Sequence, residues 1–201
     1  MLKNIRTTAW VLVFLLAGYL GYSFSVDRTS RGNTTNVAGT VDIGGPFSIP
    51  STDGEPLSDR DLLGRPWMLF FGFTYCPDVC PTTLAEMSNW LAKLGDKAKD
   101  MKAVFVTVDP ERDTIEVLSD YISSFDKRMV ALRPSSNDLA TIASNYKIYY
   151  KKVPNENGDD YTMDHSAAVF LFDRRGRFVS TVDYHEDPAT AVKKLERLLT
   201  R

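Results

Sequence analysis

The chain has 201 residues, of which 43% are apolar, 25% charged and 11% aromatic, a mix that excludes disorder, collagen-like repeats and a polytopic membrane protein. Lys plus Arg is 24 against 26 for Asp plus Glu, a net charge of −2, so there is no basic field for nucleic acid. Two cysteines and two histidines exclude a disulfide-dense scaffold or a repeated zinc module and confine any Cys/His chemistry to one small site.

Lys3 and Arg6 precede residues 7–26 (TTAWVLVFLLAGYLGYSFSV), a stretch of 20 residues without a charge. As a helix rising about 1.5 Å per residue it spans about 30 Å, the thickness of a hydrocarbon core. Both cations lie on its N-terminal side, which predicts a cytoplasmic N-terminus and an exported remainder, and Trp10, Tyr19 and Tyr22 suit the interfaces. A cleaved signal peptide needs a shorter apolar core and an A-x-A-like site, and neither is evident. Residues 1–26 therefore read as a single-pass inner-membrane anchor with a periplasmic C-terminal domain. Residues 27–45, rich in Gly, Thr and Asn, read as a flexible linker. Residues 46–201 read as one folded domain, and the exported part carries a net charge of −4.

Within that domain, Asp53-Gly54 between short apolar runs predicts a hairpin over residues 47–56, laid ahead of the main fold. Residues 67–73 (WMLFFGF) and 103–108 (AVFVTV) are continuous apolar runs of strand length, expected to be buried on both faces. Leu84, Met87, Leu91 and Leu94 recur at helical spacing after Pro81. Asp113 and Glu116 resemble a capping box opening a second helix that carries Val117, Leu118, Tyr121, Ile122 and Phe125 on one face. A third strand falls near 129–132, and Asn137 can cap a helix with Leu139, Ile142 and Ala143 inward. An extended Tyr-rich piece over 146–153 and a turn at 155–160 follow. Residues 167–172 and 178–184 flank the turn Asp173-Arg174-Arg175-Gly176 as an antiparallel hairpin, and Pro188 opens a last helix with Ala191, Leu195 and Leu198 inward. Parallel pairing first and antiparallel pairing last on one sheet is the α/β, thioredoxin-like arrangement, here with an N-terminal hairpin extension and a preceding transmembrane helix.

Cys76-Pro77-Asp78-Val79-Cys80-Pro81 sits where the first buried strand hands over to its helix. Pro81 suits a first helical turn, which places Cys80 at the N-cap and Cys76 in the loop. Free N–H groups and the helix dipole there favour thiolate, so both sulfurs are expected to be ready nucleophiles or ligands. A structural disulfide closing so small a ring gives only about 2 kcal/mol. The three-residue gap departs from the two-residue gap of thioredoxins and leaves room for an ion between the sulfurs. His165, just before the strand at 167–172, lies on the loop that a thioredoxin-like sheet turns toward the first cysteine. Two thiolates and an imidazole suit Cu(I) and adapt to Cu(II); the rival is zinc in a Cys2His site with an open position, for which Asp78 or Asp164 are weak candidates as a general base. His185 reads as a surface residue.

With these residues in view, the sequence resembles the Sco/SenC family, membrane-tethered thioredoxin-like copper proteins of cytochrome c oxidase assembly. The matching stretches are Gly44-Gly45-Pro46-Phe47, the run from Phe71 to Pro81, Val108-Asp109-Pro110-Glu111-Arg112-Asp113-Thr114 and Asp164-His165-Ser166. The resemblance implies that Cys76, Cys80 and His165 bind one copper ion. It implies delivery to the binuclear copper site of cytochrome c oxidase subunit II, with other copper chaperones as further partners, and a possible second role in reducing the acceptor's cysteines. Tyr75 stands where many relatives carry histidine.

The rival from the residues alone is a thiol-disulfide oxidoreductase using Cys76 and Cys80, which needs no histidine. Peroxide reduction is weaker still, because its threonine and arginine cannot be assigned. The cluster from Asp109 to Thr114 reads as structural, Pro110 ending a strand and Asp113 capping a helix. Tyr146, Tyr149, Tyr150 and Tyr161 read as a packed or partner-facing surface, and Lys193, Lys194, Glu196 and Arg197 as a solvated helix face.

Overall fold

The computed structural model describes residues 42–201. The anchor read over residues 1–26 lies outside the described residues, as does most of the linker. Among the described residues no helix is long and apolar enough to cross a membrane.

The N-terminal hairpin forms, with β1 (Ser48–Ile49) antiparallel to β2 (Leu57–Ser58), its second arm just beyond the span 47–56 expected from the sequence. It docks on the edge of the main sheet, Thr52 N–H donating to the Ala131 carbonyl at 2.9 Å. The chain is tied down slightly ahead of Pro46. Gly44 N–H donates to the Asn145 carbonyl at 3.1 Å, and the buried Tyr146 hydroxyl donates to the Gly45 carbonyl at 3.2 Å.

The central sheet contains β3 (Trp67–Gly72), β4 (Lys102–Thr107), β5 (Met129–Leu132), β8 (Val169–Phe172) and β9 (Phe178–Val182), in the order β5-β4-β3-β8-β9. β3, β4 and β5 run parallel, while β8 is antiparallel to both β3 and β9, which is the thioredoxin-like pairing anticipated from the element order. The crossovers are α1 (Val79–Leu94), α2 (Ile115–Ser123) and α3 (Ser136–Tyr146), and α4 (Pro188–Leu199) closes the chain. Every residue of β3 is buried, as a central strand covered on both faces requires. Trp67 stacks on Phe172 with ring centroids 4.0 Å apart and planes 11° from parallel, tying the central strand to the returning hairpin.

Several boundaries differ from the sequence reading for local reasons. Thr114, not Asp113, caps α2, its hydroxyl accepting from Val117 N–H. Ser135, not Asn137, caps α3, accepting from Asp138 N–H. A hydroxyl on extended backbone one residue before the helix outcompetes the nearby acid or amide in both cases. The Tyr-rich extended piece is one arm of a separate ribbon, β6 (Tyr150–Pro154) paired with β7 (Tyr161–His165) and closed by the turn at 155–160. The face of α4 is not wholly solvated, since the Lys194 ammonium donates to Glu186 at 2.7 Å and to the Thr181 carbonyl at 2.8 Å.

Replacing Trp67 by alanine removes the stack from a fully packed layer. Trp67→Ala is expected to lower the unfolding free energy by about 3–5 kcal/mol, read from the urea midpoint; a loss below about 1 kcal/mol would contradict the packing described.

Candidate metal centre

Strand directions decide which loops meet. β3 ends at Gly72 beside Thr107 at the end of β4, and β8, running the other way, begins at that same edge. The loop after β3, the loop after β4 and the segment before β8 therefore share one end of the sheet. Cys76 and Cys80 come from the first and His165 from the third. Their ligand atoms all lie within 4.8 Å of one another, although Cys80 and His165 are 85 residues apart in sequence.

Helix α1 begins at Val79 with Asp78 as its N-cap residue, so Cys80 lies one residue inside the helix rather than at the cap. Cys80 is buried and Cys76 half-buried, and both are free thiols. The Cys80 N–H points at Cys76 Sγ, 3.4 Å away. Of the two sulfurs expected to be ready nucleophiles or ligands, Cys76 is the one activated as thiolate. The thiol hydrogen bond from Cys80, helped by the N–H groups of Asp78 and Cys80, holds the Cys76 thiol well below its ordinary value, down to about 5. The same hydrogen bond and deep burial push the Cys80 thiol far up. The pair thus shares one proton, kept on Cys80, and a metal that takes both sulfurs must release it.

His165 is the last residue of β7, paired across the ribbon with Tyr150, rather than part of a loop. Its Nδ1 lies 2.9 Å from the Ser166 carbonyl oxygen. A carbonyl can only accept, so Nδ1 donates and Nε2 is turned toward the sulfurs, 3.5 Å from Cys80 Sγ; anchoring the outer nitrogen is how ligating imidazoles are oriented. Phe73 meets the imidazole edge to face at 5.7 Å and Phe70 at 6.2 Å, leaving the ring little freedom to turn. Two sulfurs and one nitrogen at this separation need only a small inward shift to meet bonds of about 2.0–2.3 Å to a single ion.

Two supports for the cysteine loop escaped the sequence reading. A Cβ on Gly72 would lie 2.8 Å from Cys80 Sγ and 2.7 Å from the Phe105 ring, so only glycine lets the sulfur settle over the strand end. Its signal was the lone glycine inside an apolar run. Asp113 is fully buried and accepts from Thr74 N–H, from the Thr74 hydroxyl at 2.6 Å and from the Thr107 hydroxyl. Burial raises its pKa against the pull of those donors. It anchors the segment leading into Cys76, a role that a reading of the acids as helix caps could not reveal.

Other candidates stay out of the cluster. Asp78 and Asp164 are exposed, and neither joins the three-residue group. His185 is exposed at φ 66° with its ring 3.9 Å from Tyr184. The loop that carries it follows β9 at the same sheet edge as the site, which the sequence reading did not foresee, yet its side chain is not part of the group. Tyr146 is packed in the core, whereas Tyr75 and Tyr149 are exposed.

The sequence profile described as SCO1/SenC matches residues 35–200. The chain belongs to the SCO1/SenC family. Among its relatives is a SCO2-like protein of Rickettsia prowazekii, 34% identical over 185 residues, covering 89% of this chain and 90% of the relative. A structure of Bradyrhizobium japonicum ScoI with copper bound shares 44% identity with a TM-score of 0.71, covering 78% of this chain and 99% of that one. Yeast Sco1 with copper bound gives 32% and 0.72, covering 79% and 89%. Family membership agrees with the resemblance carried by the cysteine loop and the distal histidine.

The asymmetry between the sulfurs sets a pH profile. Thiolate is the attacking form, so in reduced metal-free protein iodoacetamide is expected to modify Cys76 ahead of Cys80, with a rate that rises through a midpoint near about pH 5 and is flat above it. A midpoint near the ordinary thiol value of about 8.5, or modification of Cys80 first, would contradict the shared-proton arrangement.

Proposed function

We propose that the protein is a copper carrier that binds one copper ion through Cys76, Cys80 and His165. The observation that carries the reading is the convergence of two soft sulfurs and an oriented imidazole nitrogen within 4.8 Å, a donor set matched to Cu(I) and tolerant of Cu(II). Relatives with copper bound support it.

On this reading copper is cargo, and the site suits cargo. Cys76 is half-buried and already ionised at neutral pH, so an incoming donor's copper meets an accessible thiolate first. Cys80 then gives up its proton and His165 Nε2 completes the set. Release reverses the order by ligand exchange with an acceptor's own sulfurs and nitrogens. The proposed acceptor is the binuclear copper site of cytochrome c oxidase subunit II, with other copper chaperones as donors. Residues 1–26 would hold the carrier to the inner membrane as a single-pass anchor with its domain in the periplasm. A linker of about 19 residues gives a root-mean-square reach of about 25 Å, enough to meet partners in the same membrane.

A second reading rests on the low Cys76 pKa. A half-buried thiolate beside a resolving thiol is also equipped for thiol-disulfide exchange, so reduction of the acceptor's cysteines is the alternative activity. His165 separates the two. Chelator competition under reducing, oxygen-free conditions is expected to give one copper per chain for the parent, strong weakening for His165→Ala, and loss of tight binding for Cys76→Ser and Cys80→Ser with the fold retained. Absence of copper binding by the parent, together with ready disulfide exchange that survives His165→Ala, would replace the carrier with a reductase.

A further inference from the structure

The three ligands come from two segments that no sheet pairing joins directly: the loop through Cys76 and the β6–β7 ribbon that ends at His165. The loop after β4 touches both. Asp113 in that loop holds Thr74, two residues before Cys76. Four residues earlier, Asp109 is 2% exposed, and its carboxylate accepts from Arg112 Nε and from the Tyr161 hydroxyl, the latter at 2.9 Å. Arg112 Nη1 donates to the Tyr161 carbonyl at 2.8 Å and to Asp160 at 3.2 Å. Its guanidinium carbon lies 3.8 Å from the centre of the Tyr161 ring and 4.7 Å from that of Tyr75. Tyr161 opens β7, whose last residue is His165, and Tyr75 immediately precedes Cys76.

We infer that Arg112, aimed by Asp109, is a positioning residue that locks the ribbon carrying His165 to the loop carrying Cys76 and so sets the spacing of the three donors. The inference rests on the copper-carrier reading for its consequence, but not for its geometry. Only a planar fork can serve here. Nε and Nη1 must point to two acceptors on different segments while the flat face lies against aromatic rings, which a lysine ammonium cannot do. The Arg112 side chain is 17% exposed, so its ion pair with Asp109 is partly shielded from water and little weakened by salt. The neighbouring Lys152–Glu111 pair, 2.7 Å long but with side chains 42% and 67% exposed, contributes little to the lock. Without Arg112 the ribbon keeps its own pairing and His165 keeps its bond to the Ser166 carbonyl, but the imidazole spends less time within reach of the sulfurs. Copper then dissociates faster from a site whose ligands are all present.

The test compares full-length parent, Arg112→Gln, Arg112→Lys and the milder Tyr161→Phe, which removes only the hydroxyl bond to Asp109. In metal-free protein, amide hydrogen exchange over residues 161–165 is expected to accelerate in Arg112→Gln, to accelerate less in Tyr161→Phe, and to stay unchanged in α4. With copper loaded, Arg112→Gln is expected to raise the dissociation rate about tenfold, the scale for losing a group that orients a ligand, and Arg112→Lys is expected not to restore it. In a His165→Ala background the Arg112→Gln substitution should add no further loss, because its effect runs through the imidazole. Unchanged exchange at 161–165 in both Arg112→Gln and Tyr161→Phe would overturn the lock, as would a full additive loss in the His165→Ala background. Should the parent bind no copper, the carrier reading falls, while the exchange measurement alone still decides whether Arg112 joins the two segments.

Discussion

The site depends on one topological constraint: β8 enters the sheet antiparallel to β3, so its beginning lies against the end of β3. Parallel entry would carry His165 to the opposite edge and leave two cysteines without an imidazole. Burial enforces this pairing. β3 and β8 contribute only buried residues, each large apolar side chain worth about 1.5–3 kcal/mol when removed from water, and the Trp67–Phe172 stack fixes their register at the far end. The same edge gathers the loop after β4, which supplies the acids that hold the cysteine loop in place. Core packing thus positions the three side chains, and buried Cys80 is itself part of that core.

The chemistry follows from an imbalance between two sulfurs four residues apart. The half-buried sulfur collects the thiol hydrogen bond and the N–H groups of Asp78 and Cys80; the buried one keeps the proton because ionising it beside a thiolate in an apolar setting is unfavourable. A site that is half ionised before metal arrives can capture a soft cation at an accessible atom and bury it in a second step. It can also begin disulfide exchange with the same atom. On the proposed reading, the histidine, aimed by the Ser166 carbonyl and flanked by Phe70 and Phe73, biases this shared machinery toward metal.

Elements with a strong period or a fully apolar run were legible in the sequence: β3, β4, α1, the β8–β9 hairpin and α4 with Pro188 at its start, though not its Asp187 cap. So was the convergence of Cys76, Cys80 and His165, because the Cys-x-x-x-Cys spacing and the position of His165 carry topological meaning. Less legible were features decided by a partner far along the chain. The β6–β7 ribbon is mostly exposed and built from charged and aromatic residues, so its pairing leaves no clean alternation. Asp113 looks like a helix cap because it precedes a helix by two residues, yet a threonine hydroxyl takes that role and frees the carboxylate to reach Thr74 and Thr107. The unequal acidity of the cysteines depends on burial within one turn of helix, which sequence spacing does not encode.

On the proposed reading, two sulfurs and one imidazole nitrogen hold a single copper ion. X-ray absorption at the copper edge, on protein loaded anaerobically with one equivalent of Cu(I), tests it most directly. Two sulfur scatterers and one nitrogen scatterer are expected, with the nitrogen contribution lost in His165→Ala. A copper shell made of oxygen and nitrogen alone, or one unaltered by His165→Ala, would contradict it.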